Sequence, residues 1–289
     1  MTTRITVDDL LMMLEEIASF GLAETWDNVG LMVGDPAQWV SGILVALDPT
    51  ERVLAEAVAA GINTIITHHP LIFHPLKNVR TDRVPGRFLQ RAMADSVSVV
   101  GCHTNLDLAT GGVNDVLAAR LGLIDVRPLT ARSAGQQTAQ DHDPLPLLGF
   151  GRWGRLAVPM TGGAFVSHVQ QALATPVVRV AGRLPEEVTT VAACGGSGSD
   201  LAEAAFLKGA QVYVTGEVKL STARWAEACE FCILDAGHFA TENPVVAALA
   251  VILQKALAEK GWALDVVTTR RQQDPFVFYH HQPQQRQSG

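Results

Sequence analysis

Apolar residues recur along this chain in two ways, at helical spacing and in short unbroken runs. The switches between the two predict its elements. Leu10, Leu11, Leu14 and Ile17 share one helical face over residues 6–19, and Thr6 with Asp9 three residues on reads as a capping box. Three β-branched runs follow, at 42–47, 62–67 and 96–101, with the composition of buried parallel strands. Helical stretches separate them, at about 50–60 and 86–95. Asp48-Pro49-Thr50-Glu51 reads as the start of the first, with Asp48 as the cap and Pro49 in the first helical position, and Gly61 ends it. This is a βαβ unit with short connections.

Beyond a helix at 112–121 the pattern lapses. Gln136, Gln137, Asp141, His142, Asp143, Pro144 and Pro146 mark an irregular connection at about 127–151, with a domain boundary near its start. The second half then echoes the first. Val45-Ala46, Leu54-Ala55-Glu56-Ala57, Gly61 and Thr67 recur as Val191-Ala192, Leu201-Ala202-Glu203-Ala204, Gly209 and Thr215. A helix at 220–228, a strand at 231–234, a long apolar helix at 245–260 and a last strand at 263–269 complete the chain, before a polar tail at 276–289. The expected fold class is α/β, with two similar domains related by internal duplication. Residues 1–126 with 236–275 form one domain and 127–235 the other.

Composition narrows the function classes. The chain has 289 residues, 48% hydrophobic and 18% charged, and is globular. A net charge of −7, with no basic run, predicts neither nucleic acid nor a membrane surface as partner. No secretory-type leader or bilayer-length apolar stretch is visible, and Cys102, Cys194, Cys229 and Cys232 form no disulfide framework. A cytoplasmic location is expected.

The chemistry gathers at strand ends. The run 62–67 ends in His68-His69-Pro70, where open α/β sheets bind ligands. Consecutive side chains of a regular strand point to opposite faces, so both histidines serve one site only if the backbone turns there. The next strand delivers His103 and Asp107 to the same sheet edge. His238 and Glu242, four apart at a strand-to-helix junction, share a face in helical geometry. Three imidazoles (His68, His69, His238) and two carboxylates (Asp107, Glu242) suit zinc, iron or manganese better than calcium. Five ligands exceed the needs of one tetrahedral zinc, so two divalent ions sharing a bridging carboxylate is the economical reading.

Other stretches carry weaker signals. The segment Cys194-Gly195-Gly196-Ser197-Gly198-Ser199-Asp200 joins a strand to a helix, where its backbone could cradle phosphate through Gly196 and Ser197. It lacks the lysine of a P-loop, and a tight turn is the plainer reading. Cys229 and Cys232 form a single CxxC without a partner pair. His103 and Lys77 are candidates for proton donation or charge stabilisation. The loop Trp26-Asp27-Asn28 offers either core packing or, through Asn28, substrate contact.

Thr67-His68-His69-Pro70-Leu71-Ile72-Phe73, His103-Thr104-Asn105-Leu106-Asp107, Thr215-Gly216-Glu217-Val218, Gly237-His238-Phe239-Ala240-Thr241-Glu242 and Trp26-Asp27-Asn28-Val29-Gly30-Leu31 together resemble the GTP cyclohydrolase 1 type 2-like family, also called NGG-interacting-factor-three-like. The resemblance spans nearly the whole chain, although relatives with an extra domain inserted between the halves are longer. It implies two similar α/β domains, a dinuclear metal site in the cleft between them and a ring-shaped homohexamer. By position, His69 and Asp107 would hold one ion, His68 and His238 the other, and Glu242 would bridge. Glu217 joins His103 and Lys77 as a candidate catalytic residue. The implied activity is hydrolytic, with metal-activated water attacking a purine nucleotide or related small molecule. The alternatives are a phosphoesterase or amidohydrolase on another substrate, and a regulatory or metal-handling protein without turnover.

Overall fold

In the computed structural model, which describes residues 4–131 and 148–279, the elements follow one order twice. The first half runs α1 (Val7–Ile17), β1 (Gly30–Val33), β2 (Ile43–Ala46), α2 (Glu51–Ala59), β3 (Thr64–Thr67), α3 (Gly86–Ala94), β4 (Ser98–Gly101), α4 (Thr104–Leu108) and α5 (Val113–Arg120). Two longer strands follow, β5 (Leu123–Ala131) and β6 (Gly149–Thr161). The second half runs α6 (Gly162–Ala172), β7 (Arg179–Ala181), β8 (Glu187–Ser197), α7 (Ala202–Leu207), β9 (Val212–Gly216), α8 (Leu220–Ala228), β10 (Cys232–Asp235), α9 (His238–Glu242) and α10 (Pro244–Glu259). The short strand β11 (Val266–Thr268) follows.

Each half builds a sheet of the same plan. In the first, β2, β3 and β4 are parallel and β1 lies antiparallel on β4. In the second, β8, β9 and β10 are parallel and β7 lies antiparallel on β10. The strand that follows each half joins the other sheet. Thus β5 enters the second sheet through its pairing with β6, and β11 adds parallel to β2 in the first.

Both sheets are covered on both faces, which is why their central strands are apolar throughout. Ile43 and Val45 of β2 face the core beneath α1 and α10, while Leu44 and Ala46 face that beneath α2 and α3. In the second sheet, Val212 and Val214 of β9 meet α5 and α6, and Tyr213 meets α7 and α8. Strands with two apolar faces do not fix their own register. Polar groups at their ends do so. The Asn63 side chain accepts from Ser41 N at 2.8 Å and donates to Trp39 O at 2.8 Å, aligning β3 with the start of β2.

Local signals account for the starts of α1 and α2, with one correction. Thr6 caps α1, and Asp9 completes the capping box. The cap of α2 is Thr50, not Asp48: the helix begins at Glu51, and the Thr50 side chain accepts from Val53 N. Asp48 is turned instead toward His69. Gly61, at φ +69°, ends this segment as expected. The stretch read as an irregular connection carries strand at both ends, β5 and β6. Its central residues 132–147 lie outside the described residues, as do 280–289 of the tail. The described start of that tail is not polar, because it contains Phe276, Val277, Phe278 and Tyr279.

Candidate metal centre

The turn needed to bring His68 and His69 together is present. The ladder to β2 continues past Thr67, with His69 N donating to Leu47 O at 2.8 Å, and the Thr67 hydroxyl donates to His69 O at 2.7 Å. The two rings lie 5.0 Å apart. Each has its Nδ1 occupied: His68 by the Cys102 carbonyl at 2.9 Å, His69 by Asp48 Oδ1 at 2.6 Å. A carbonyl can only accept, so His68 Nδ1 carries a proton and its Nε2 lone pair faces the site when the ring is neutral.

Asp107 arrives on α4, directly beyond β4. His103, the residue preceding that helix, makes no side-chain cap. Its start is held by Asp27, whose carboxylate accepts from Thr104 N at 3.0 Å, from the Thr104 hydroxyl, and from His103 Nδ1 at 2.8 Å. His68 Nε2 lies 3.7 Å from Asp107 Oδ1.

The second half contributes α9. His238 and Glu242 sit one turn apart, and Glu242 reaches into the centre of the cluster, 4% exposed. Its Oε1 lies 3.6 Å from His68 Nε2, and its Oε2 lies 3.0 Å from His69 Nε2 and 2.9 Å from His238 Nε2. Space for it comes from Gly195-Gly196. A Cβ on Gly196 would stand 2.0 Å from Glu242 Oε1, and the residue has φ +65°. Glu217 Oε1 is 3.0 Å from His238 Nδ1, although that contact lacks hydrogen-bond geometry.

The donor atoms fall into groups that a cation could bridge: His69, His238 and Glu242; His68, Asp107 and Glu242; and His68, His69 and His103. Two buried donors among them are poorly satisfied: His68 Nε2 makes no hydrogen bond, and Glu242 Oε2 is close to two imidazole nitrogens without an aligned hydrogen bond to either. Such orphans are costly unless something else satisfies them. The charge balance points the same way. Burial would lower the pKa of His68, but Asp107 and Glu242 outweigh it and raise it. Burial likewise opposes Asp48 and Glu242 at His69, which together push it up to about 10. Burial raises Asp107, with Glu242 adding to the rise, whereas the histidines overcome burial at Glu242 and hold it well below the usual carboxylate range. The residues fit divalent cations, by donor type and by their unsatisfied atoms.

The chain is similar to known proteins over nearly its whole length. A family model described as Duf34/NIF3 (NGG1p interacting factor 3) matches residues 5–275. The chain belongs to the DUF34/NIF3 family. Its similar relatives include proteins named GTP cyclohydrolase 1 type 2 homolog. One from Streptomyces coelicolor is 33% identical, over 88% of each chain, and one from Clostridium perfringens is 31% identical, over 94% of this chain and 99% of that one. Among solved structures, a Bacillus cereus protein related to NIF3 superposes with a TM-score of 0.89 at 27% identity, covering 96% of this chain and 100% of that one.

Within this DUF34/NIF3 fold the remaining candidates separate. His68, His69, Asp107, His238 and Glu242 converge, and His103 joins them. The distances pair His69 with His238 and His68 with Asp107, whereas the resemblance pairs His69 with Asp107 and His68 with His238. Lys77 lies exposed and makes no ion pair among the described residues. The Asn28 amide is tied to Ile72 O at 2.5 Å, so it fixes the loop after His69. The glycine loop offers no phosphate cradle at Gly195, Gly196 or Gly198. Their N–H groups donate to Asn114 Oδ1, Thr241 Oγ1 and Thr215 Oγ1, and Ser197 is exposed. Cys229 and Cys232 are free, and burial pushes the Cys232 thiol up to about 12. Asp27 and Asp48 were missed as supports of the centre. An acidic residue in a loop carries no local mark of a histidine many residues away.

Proposed function

We propose that this protein is a dinuclear-metal-dependent hydrolase acting on a purine nucleotide or a related small molecule. The carrying observation is Glu242, whose two oxygens enter two different donor groups. Bound divalent ions would acidify water and polarise a substrate oxygen. The chain's residues do the rest. Asp48 and the Cys102 carbonyl fix the two neighbouring imidazoles, Glu242 joins the donor groups, and His103, oriented by Asp27, accepts or returns a proton at Nε2. His103 is in reach of the cluster, with its ring 5.2 Å from that of His68.

The two halves read as a duplication that diverged at this site. Support comes from the shared order of elements and from position, since Gly216-Glu217 lies at the carboxyl end of β9 as His68-His69 lies at that of β3. The centre then lies in the cleft between halves, with the first running to about 126 and recovering 236–275. The packing of α10 and β11 on the first sheet supports that division. Four free cysteines suit a reducing cytoplasm, and no helix among the described residues is long and apolar enough to cross a membrane. Assembly as a homohexamer follows the resemblance and is checked by mass in solution.

The test combines elemental analysis with a product-resolved assay on GTP, other nucleotides and phosphodiesters. In the cyclohydrolase reaction, one water attacks the purine at C8 and opens the imidazole ring to a formamide, and a second water cleaves that formamide, so that formate leaves and the amine is freed. Formate release that disappears with His69→Ala and Glu242→Ala supports the reading. Two bound metals per chain with no turnover would favour metal handling. Two tightly held metals in Glu242→Ala would defeat the ligand assignment.

A further inference from the structure

Beside the donors lies a cavity of about 720 Å³, within the range of small-molecule sites. One wall is the chain beyond β11. That segment is anchored rather than loose: Gln272 accepts from Leu47 N at 2.7 Å and donates to Asp48 Oδ2, and Thr269 N donates to Val45 O at 2.9 Å. It thereby presents Phe276, Val277 and Phe278 to the cavity, opposite Val177 and Phe239. The exposure of Phe276 (72%) and Phe278 (46%) is unusual for aromatic side chains facing a polar centre.

The polar groups of this cavity restrict what can enter. Asp48, Glu217 and Asp274 line it, and ionised carboxylates only accept hydrogen bonds. Arg179 is the one arginine or lysine among the described lining residues, and one nitrogen of its guanidinium donates to Asp235. That carboxylate also accepts from Val218 N at 3.0 Å and Gly237 N at 3.1 Å. A polyphosphate entering here meets the carboxylates of Asp48, Glu217, Asp235 and Asp274 against a single described arginine that is already shared with one of them. A flat, uncharged ring bearing N–H donors finds aromatic faces and acceptors.

We propose that this cavity is the subsite for the ring of the substrate, that the ring is a neutral nitrogen heterocycle, and that Phe276 and Phe278 determine its affinity. Any phosphates lie outside it. The proposal deepens the hydrolase reading, since His69 and His238 form the cavity's inner edge.

Calorimetric titration of the full chain tests it, with guanosine, inosine and GTP as probes, on protein whose zinc content is measured and on zinc-free protein. A nucleoside is expected to bind more tightly than GTP to zinc-free protein. The double variant Phe276→Ala, Phe278→Ala is expected to lose about tenfold in nucleoside affinity, the scale of a stacked base. Its zinc content and melting midpoint should be unchanged, because both side chains are exposed. A second variant, Asp274→Lys, should strengthen GTP binding. The proposal is overturned if GTP binds zinc-free protein at least as tightly as the nucleosides, if neither nucleoside binds, or if the double variant binds them unchanged. A chain that takes up no zinc would overturn the metal reading instead, and the zinc-free titration would still decide the subsite.

Discussion

Glu242 stays ionised in a nearly closed space because Gly196 leaves it room and three imidazoles surround it. Gly196→Ala should therefore act on the metal before the fold. The added methyl group would displace the Glu242 carboxylate, so elemental analysis should find less metal in a protein of nearly unchanged circular dichroism. Normal metal content would show that Glu242 is not held where it is needed. Asp27 offers a pH test. Burial raises its pKa, but His103 and Thr104 more than reverse this and hold it far below the usual carboxylate range. A group with a depressed folded pKa contributes stability above its unfolded value near ~3.9, and loses that contribution as pH falls toward the folded one. Asp27→Ala should cost about 2 kcal/mol at neutral pH. The gap from wild type in urea midpoint should shrink as pH is lowered from about 5 to about 3; a constant gap would mean the carboxylate charge is irrelevant. The five residues that converge were legible because each lies just beyond a strand end that composition reveals. Asp27 and Asp48 were not, since their partners are remote in sequence and only the fold supplies them.

At the scale of elements, local chemistry was readable wherever one candidate stood alone. Thr6 and Asp9 form the box that their spacing announces, with Thr6 N donating to Asp9 at 2.7 Å and Asp9 N to Thr6 Oγ1 at 3.2 Å. Thr6→Ala should lower stability by about 1 kcal/mol, measured by denaturant midpoint, with metal content untouched. At the next helix two caps competed. Asp48 before Pro49 and Thr50 before Glu51 both satisfy the rules for a helix start, and the tie is broken by His69, which draws the Asp48 carboxylate toward the centre. The same tertiary demand explains α9. Five residues make a poor helix by themselves, and Gly237 at φ +89°, with its N–H on Asp235, sets the entry that aims His238 and Glu242 at one point. The strands β5 and β6 were hidden for another reason. The exposed, charge-bearing β5 reads as loop, because it is the edge of an antiparallel pair and lacks the apolar run of a central strand, and β6, although interior, mixes Arg152 and Arg155 with glycines.

The halves exchange elements, and that exchange governs how the molecule should unfold. Helix α5 belongs to the first half by order, yet its Leu117 and Ala118, and Leu121 just past its end, lie in the core of the second sheet. Helix α10 follows the second half, yet Leu249, Leu253 and Leu257 lie in the core of the first. With β5 and β11 crossing as well, neither sheet keeps a complete core without residues of the other half. Two independently stable domains would melt in two steps; these should melt in one, with calorimetric and van't Hoff enthalpies agreeing. The joint also has a polar clasp. Arg152 of β6, 2% exposed, binds Asp115 of α5 through both carboxylate oxygens and donates to the carbonyls of Gly149 at 2.8 Å and Gly151 at 2.9 Å. Removing Arg152 leaves the half-buried Asp115 and two carbonyls without their donor, at a cost of roughly 2–3 kcal/mol. Arg152→Ala should therefore lower the midpoint of the whole transition, whereas a clasp that served one domain only would split it. An Arg152→Met, Asp115→Leu pair should recover much of the loss, because the stranded charge is gone. Persistence of the full deficit would assign the effect to packing of the Arg152 stem.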